Sequence, residues 1–430
     1  MSFRNVDYKS GKNWKEVTRF DSVDFGWIIL SIGMAIGAGI IFLPVQAGLV
    51  GIWVFLASAL IAYPALYLFQ RLFVNTLAAS DRCDDYPEVI SGYLGKNWGV
   101  ILGLLYFLML VLWVFVYSTA LTNDTASYLQ TFGVTKILLS KNPLYPLFLI
   151  TFLVLLASRG EAFLFKISTL LVLTKLGIVA FLGFSMIHHW NLANVGSLAP
   201  SKDLLRQAIV TLPFTLTSIL FLQTLSPMVI SYRAREISLK VARYKALRAM
   251  NISFGILFVV VFFYAISFTL AMGHETAERA YQQNISALAI AAEEFKPGIA
   301  VILGVVLNLF ALVTAFFGVY LGFEEACRGI AINVLTRFLP AGRISRSWIN
   351  RGLRVFLIVL AWFVVSRNIP VLNFTSISSP IFGFIGCLIP AWLVLRVPSL
   401  ASYRNPALLI IIITGILLVI SPLLNFSHPR

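Results

Sequence analysis

The chain is poor in charge. Of its 430 residues only 12% are Asp, Glu, Lys or Arg, about half the ~25% carried by soluble globular domains. Cysteine is scarce too. Cys83, Cys327 and Cys387 stand far apart and form no C-x-x-C pair, which argues against a disulfide framework and against a metal site. The string Gly-x-x-x-x-Gly-Lys-[Ser/Thr] does not occur, so no phosphate-cradling loop of that kind is present. No acid/base pair or nucleophile triad stands in a setting suited to catalysis, and neither an enzyme nor a bound cofactor is expected. The first twenty-odd residues are polar and lack the short apolar run and small-residue cleavage site of a signal peptide.

What is abundant is apolar surface. Hydrophobic residues make up 59% of the chain and the mean hydropathy is +0.89. These values describe a polytopic, all-α integral membrane protein. Windows of about 20 apolar residues predict eleven transmembrane helices at 24–48, 50–72, 98–122, 143–158, 163–188, 207–231, 250–272, 297–322, 353–368, 372–396 and 406–424, the fourth and ninth being short. Segment 273–296, with Ala287 to Ala292, reads as a short helix lying over the entrance, either a gate or simply a connector.

Charge sets the orientation. The formal net charge of +15 is a statement about topology rather than nucleic acid. With the N-terminus inside, the inner segments hold 24 Lys and Arg and the outer ones 8. The excess predicts a cytoplasmic N-terminus and an outside C-terminus. Arg233, Arg235, Lys240, Arg243, Lys245 and Arg248 lie in the inner loop between spans 6 and 7, suited to anionic lipid.

Lys175 stands out against this background. It lies within 167–187, about 12–14 Å from the start of its span and about 18 Å from the far end at 1.5 Å per residue. An ammonium near the bilayer centre costs at least ~2.5–3.5 kcal/mol. Lys175 is the only Lys, Arg, Asp or Glu that the span limits place deep in the membrane. It is expected to face a protein-lined cavity; the alternative is a lysine held in the packed bundle interface.

Parity adds a further constraint. Five spans is an odd number, so span 6 enters from the side opposite to span 1. If spans 1–5 and 6–10 are related, the repeat is inverted, and such transporters bind substrate at the midplane between discontinuous helices at matching positions. Spans 1 and 6 both look broken. Span 1 carries Gly33, Gly37 and Gly39 and then Pro44, a poor helix. Unwinding at Gly37, Ala38 and Gly39 would free backbone N–H groups for a carboxylate, although Gly33-x-x-x-Gly37 is also a helix-packing pattern. In span 6, Pro213 and Pro227 bracket Thr215, Thr217, Ser218, Phe221, Gln223, Thr224 and Ser226. Each hydroxyl alone can back-bond to its own helix; together they suggest a lining whose free carbonyls suit an ammonium group. Asn308, Thr314, Tyr117, Ser118, Ser376, Ser378 and Ser379 are weaker candidates.

The residues also point to a family. Gly33-x-Ala35-x-Gly37-Ala38-Gly39-x-x-Phe42-Leu43-Pro44-x-x-Ala47-Gly48 resembles the first-span signature of the bacterial hydroxy and aromatic amino acid permeases, within the amino acid–polyamine–organocation superfamily. Tyr63-Pro64, Leu212-Pro213, Ser226-Pro227 and the eleven-span layout are similar too, so the resemblance covers essentially the whole chain. It is nearest the members of enteric bacteria that carry D- or L-serine and cysteine.

The resemblance implies an inverted five-plus-five repeat of the LeuT type, with discontinuous helices 1 and 6 and an eleventh helix added. The chain would divide into a cytoplasmic tail (1–23), a first repeat (24–188), a periplasmic loop (189–206), a second repeat (207–396) and an eleventh helix with periplasmic C-terminus (397–430). It implies proton symport of a small hydroxy amino acid, serine first, into a bacterium across its inner membrane, with protons and membrane lipids as the other partners. Gly37, Ala38 and Gly39 would hold the substrate carboxylate. The span-6 residues Thr215, Thr217, Ser218, Phe221 and Gln223, with Tyr117, would complete the site. Lys175 matches the lysine that stands where sodium binds in sodium-coupled relatives, with Gly33, Thr314 and Asn308 in support. One departure concerns specificity: Thr224 and Leu225 replace the Asn and His associated with the serine–threonine permeases. The rivals are a sodium-coupled or aromatic amino acid permease and, in another class, a channel or receptor-like protein. Oligomeric state is left open by the sequence.

Overall fold

The computed structural model describes residues 14–80, 86–159, 161–196, 200–236, 238–294, 298–338 and 346–426. The tail residues 1–13, Cys83 and the segment 339–345 lie outside them. No strand occurs among the described residues. The principal helices are α1 (Ser22–Ala35), α2 (Ala38–Val50), α3 (Ile52–Ala78), α4 (Lys96–Thr131), α5 (Leu144–Ala157), α6 (Glu161–Ser185), α7 (Ser201–Thr217), α8 (Leu222–Arg235), α9 (Leu239–Gln283), α10 (Ala287–Glu294), α11 (Ile299–Phe338), α12 (Arg346–Val365), α13 (Val371–Phe382), α14 (Ile389–Arg396) and α15 (Ala407–Phe426). A π-helical turn, Gly383–Leu388, joins α13 to α14.

Among the described residues nine stretches are long and apolar enough to cross a membrane, and α7 with α8, bent by 41°, makes a tenth. The expected fourth span is present as α5, but its 14 residues extend only about 21 Å, short of a hydrocarbon core of about 30 Å. Leu60, Phe148, Leu170 and Val259 are each more than half exposed on the outside of the bundle, as a lipid-facing perimeter requires. The core is closed by Ile32, Phe42, Phe55, Phe69, Phe221 and Phe316.

Several helices outrun the limits read from hydropathy. Helix α4 continues to Thr131 rather than 122, and Asp124 within it is fully buried. Lys175 is therefore not the only ionisable residue deep in the bundle. The polar run Thr122, Asn123, Asp124 ends an apolar window, but the helix persists because that polar face is covered by protein rather than lipid. Helix α9 runs 45 residues with a kink at Gly273, whose φ of 72° suits only glycine.

Local chemistry fixes the ends. Asp21 caps α1 by accepting from the Val23 and Asp24 amides at 2.8 and 3.1 Å, while Asp24 accepts from the Asp21 amide at 2.9 Å, a reciprocal capping box. Gly51, with φ 86°, turns α2 into α3 at the opposite end of the molecule. These are the Asp21 end and the Gly51 end below.

Candidate functional site

The first span is interrupted between α1 and α2. Ile36 (φ −77°, ψ 77°) and Gly37 (φ −134°, ψ −146°) leave the helical region. The Gly37 amide turns back to the Ala35 carbonyl at 2.9 Å, and α2 restarts at Ala38. The first-turn N–H groups of a helix have no intrahelical carbonyl, and the dipole makes that end partially positive. A Cβ added to Gly37 would stand 2.8 Å from the Ala315 Cβ and 2.9 Å from the Tyr117 hydroxyl, so α4 and α11 close on the break.

The second interruption lies between α7 and α8, at residues 218–221, with Phe221 at φ −133°, ψ 34°. It does not sit at a proline. Pro213 and Pro227 lie inside α7 and α8, and Pro44 lies inside α2. The two breaks meet at Gly39, where an added Cβ would be 2.8 Å from the Thr217 carbonyl oxygen and 3.0 Å from the Ser218 Cα. That carbonyl accepts from the Leu220 amide only at 3.5 Å. Unpaired N–H groups and an under-used carbonyl therefore stand side by side, the pairing that a zwitterionic α-amino acid offers in reverse.

Lys175 is fully buried beside the first break. Its ammonium donates to the Gly33 carbonyl at 3.1 Å, the Ile36 carbonyl at 2.9 Å and the Thr314 hydroxyl oxygen at 2.6 Å. Thr314 spends its own proton on the Phe310 carbonyl at 2.7 Å. All three neighbours are thus acceptors, matching the three donors of an ammonium. A neutral amine would turn a lone pair on one of them. Gly33 is required here for packing, since an added Cβ would come within 2.5 Å of Val172 Cγ2.

The span-6 hydroxyls are engaged with helices more than with open space. Thr215 accepts from Ser58 at 3.0 Å, Tyr63 and Ser218 hydroxyls lie 3.3 Å apart, and Ser31 and Thr224 hydroxyls 3.1 Å apart. Thr217 donates to the Phe214 carbonyl at 3.0 Å. The Phe221 amide donates to Gln70 at 3.4 Å. Gln223 is half-buried with its side-chain oxygen unpartnered. Sequence reasoning missed Ser58, Tyr63 and Gln70; three polar residues in the apolar α3 were the available signal. Trp113, buried with an unpartnered indole N–H, packs its ring 5.5 Å from that of Tyr117.

Asn308 does not join Lys175 and Thr314. Its side-chain nitrogen lies 2.6 Å from Asp124, to which it donates, 2.6 Å from the Tyr128 hydroxyl and 2.9 Å from the Ser286 hydroxyl, three acceptors sharing two protons. At the Asp21 end a second polar cluster closes the bundle. Asp24, fully buried, accepts from Tyr232 at 2.7 Å and pairs with Arg248 at 2.6 Å. Lys245 bridges Asp21 at 2.9 Å and Glu236 at 2.7 Å. Burial alone would raise the Asp21 carboxyl, but the Lys245 hydrogen bond and the Asp24 and Val23 amides outweigh it and hold that group below the usual carboxylate range.

No protein-family model matches the chain. It is 64% identical over 421 residues to a serine transporter of Escherichia coli O157:H7, spanning 97% of this chain and 95% of the relative. A probable serine transporter of Escherichia coli strain K12 is 65% identical over the same shares. The serine transporter SdaC of strain K12 is 26% identical over 389 residues, 89% of this chain and 90% of the relative. Among solved structures, MhsT in complex with L-phenylalanine superposes with a TM-score of 0.56 at 14% identity, over 94% of this chain and 98% of that one. Mhp1, a nucleobase-cation-symport-1 family transporter with bromovinylhydantoin bound, gives 0.51 at 14% identity over 94% and 93%. These likenesses show an all-helical membrane fold shared with LeuT-type transporters.

Proposed function

This chain belongs to the hydroxy and aromatic amino acid permease family, among its serine transporters, and on that premise we propose that it imports serine by proton symport. The breaks in the first and sixth spans form the binding site. The Gly37 amide is spent on the Ala35 carbonyl, so of the expected trio the N–H groups at Ala38 and Gly39 take the substrate carboxylate, and the carbonyl end of α7 at Thr217 takes the ammonium. Tyr117, Phe221 and Gln223 frame the side chain, with Thr215 and Ser218 holding α7 in place. Cysteine is nearly isosteric with serine, and an apolar wall rejects an added group weakly, so cysteine and threonine are the expected competitors.

The reading extends to topology. Helix α5 counts as the fourth of eleven spans, 24–188 and 207–396 are the inverted repeats, and the Asp21 end faces the cytoplasm of a bacterial inner membrane. The C-terminus is periplasmic.

One observation carries the coupling: the Lys175 ammonium caps the α1 side of the first-span break through the Gly33 and Ile36 carbonyls and ties it to α11 through Thr314. Loss of the proton removes a charge and one donor, so protonation and the shape of the break are linked. A sodium ion would need the same carbonyls and hydroxyl. The test is labelled L-serine uptake into proteoliposomes with an imposed pH gradient and no sodium. The protein should concentrate serine until a protonophore is added. Lys175→Gln should lose that accumulation while retaining serine exchange down its gradient. A Lys175→Gln protein that still concentrates serine on the proton gradient would overturn the assignment, and uptake that needs sodium would overturn proton coupling.

A further inference from the structure

The Gly51 end contains a buried acid that the transport scheme does not use. Asp124 is fully buried, and among the described residues it pairs with no Lys or Arg. Its partners are the Ser286 amide at 3.0 Å and the Asn308 side-chain amide at 2.6 Å. Uncompensated carboxylates are costly to bury, so three elements have been brought together around this one. Ser286 directly precedes the short helix α10, and Asn308 belongs to α11.

The contacts around Asp124 follow a single face of α4. Asn123, Asp124, Ser127 and Tyr128 recur at the spacing of one helical stripe, and the segment 284–293 meets nearly all of them. Asn123 donates to the Asn284 carbonyl at 3.2 Å and to Asn368 at 2.9 Å. Asn284 donates to Asn368 and to the Ile369 carbonyl, and accepts from the Val371 amide at 3.0 Å. Ser127 donates to Glu293 at 2.9 Å, tying down the far end of α10. The titratable neighbours are thus Tyr128, with Tyr264 beside it, and, one step away, Glu293.

We propose that Asp124 is a positioning residue that latches α10 onto α4 and α11, and that this latch keeps the Gly51 end of the binding site shut. The donor–acceptor sense matters as much as the shape. Asp124→Asn keeps an oxygen for the Ser286 amide but sets its own NH2 against the NH2 of Asn308. Exchanging the two residues, in Asp124→Asn/Asn308→Asp, restores one donor and one acceptor at the same separation.

The proposal rests on the transporter reading for its consequence, and the test separates the two. A cysteine is placed at Ile290, a fully buried α10 position, in the full chain in proteoliposomes. Its labelling rate by a membrane-impermeant maleimide is read by mass spectrometry on the peptide carrying it. Asp124→Asn should raise the rate about tenfold, the loss expected when a hydrogen bond to a charged group is removed. The exchanged pair should bring it back toward the parent rate. If Asp124→Asn yields no folded protein, Ser127→Ala, which frees only the Glu293 tether, should still raise labelling severalfold. Rates within twofold of the parent in whichever of these variants folds would overturn the latch. An exchanged pair that labels as fast as the single variant would do the same. Absence of serine uptake by the parent protein would instead count against the transport reading alone.

Discussion

Gly39→Ala tests the site more sharply than any change to a polar side chain. Its added Cβ would sit 2.8 Å from the Thr217 oxygen and 3.0 Å from the Ser218 Cα, whereas unstrained contacts begin near ~3.5 Å. Both neighbours are backbone, so no rotamer change relieves the overlap. The two breaks must part by roughly 0.5–0.7 Å. Overpacking of this kind costs about 1–3 kcal/mol, and a displacement approaching ~1 Å at a positioning site can cost about 10²-fold in rate. Serine uptake at low concentration in proteoliposomes should fall by roughly 30–100-fold. Serine-induced thermal stabilisation should weaken in parallel, since it grows as the logarithm of one plus the ratio of serine concentration to Kd. The control is Gly177→Ala in α6, where an added Cβ meets nothing within 4 Å and uptake should be unchanged. Uptake by Gly39→Ala within threefold of the parent would refute the contact between the two breaks as the substrate site.

Two further predictions concern the Asp21 end. Arg248→Ala should lower the melting temperature in detergent, because it leaves the buried Asp24 without its cation, a change that typically costs about 3–5 kcal/mol; an unchanged melting curve would show the pair to be incidental. Asp21 should give a pH signature of definite sign. Its carboxyl is held below its ordinary value when folded, so its contribution is present above the unfolded value near ~3.9. The contribution is lost as pH falls through the lower folded value. Asp21→Asn should therefore be less stable than the parent at neutral pH and converge with it under acid, and parallel curves across that range would remove the Lys245–Asp21 interaction from the account.

Much of this site was legible in the sequence because backbone needs leave a composition trace. Close approach at Gly37 and Gly39 excludes a Cβ, and the glycines that satisfy it stand in a row. Lys175 was legible for the converse reason, as an ammonium in hydrocarbon must have a protein partner. What stayed hidden depends on neighbours distant in the chain. The hydroxyls of Thr215 and Ser218 read as a lining, but Ser58 and Tyr63 lie 157 and 155 residues away in sequence, and no local pattern announces that α3 will face them. Asp124 was missed because a hydropathy window assumes that a span faces lipid, and the end of α4 faces α10 and α11. The bend between α7 and α8 fell within the stretch bracketed by Pro213 and Pro227 but at neither of them, since each proline is accommodated inside its own helix.

The distribution of polar contacts suggests where the energy of a transport cycle resides. At the middle, the first break hangs on three hydrogen bonds from one ammonium, while the facing ends of α2 and α7 keep groups free for a ligand. At the Asp21 end, charged pairs join α1 to α9, and Tyr232 joins α8 to α1. At the Gly51 end, neutral donors hold one carboxylate among α4, α10 and α11. The two ends thus use largely different helices and different chemistry. Opening one need not break the other, which is the independence that alternating access demands. Lys175 meets α11 at Thr314 and Asp124 meets it at Asn308, about 9 Å apart along the same helix.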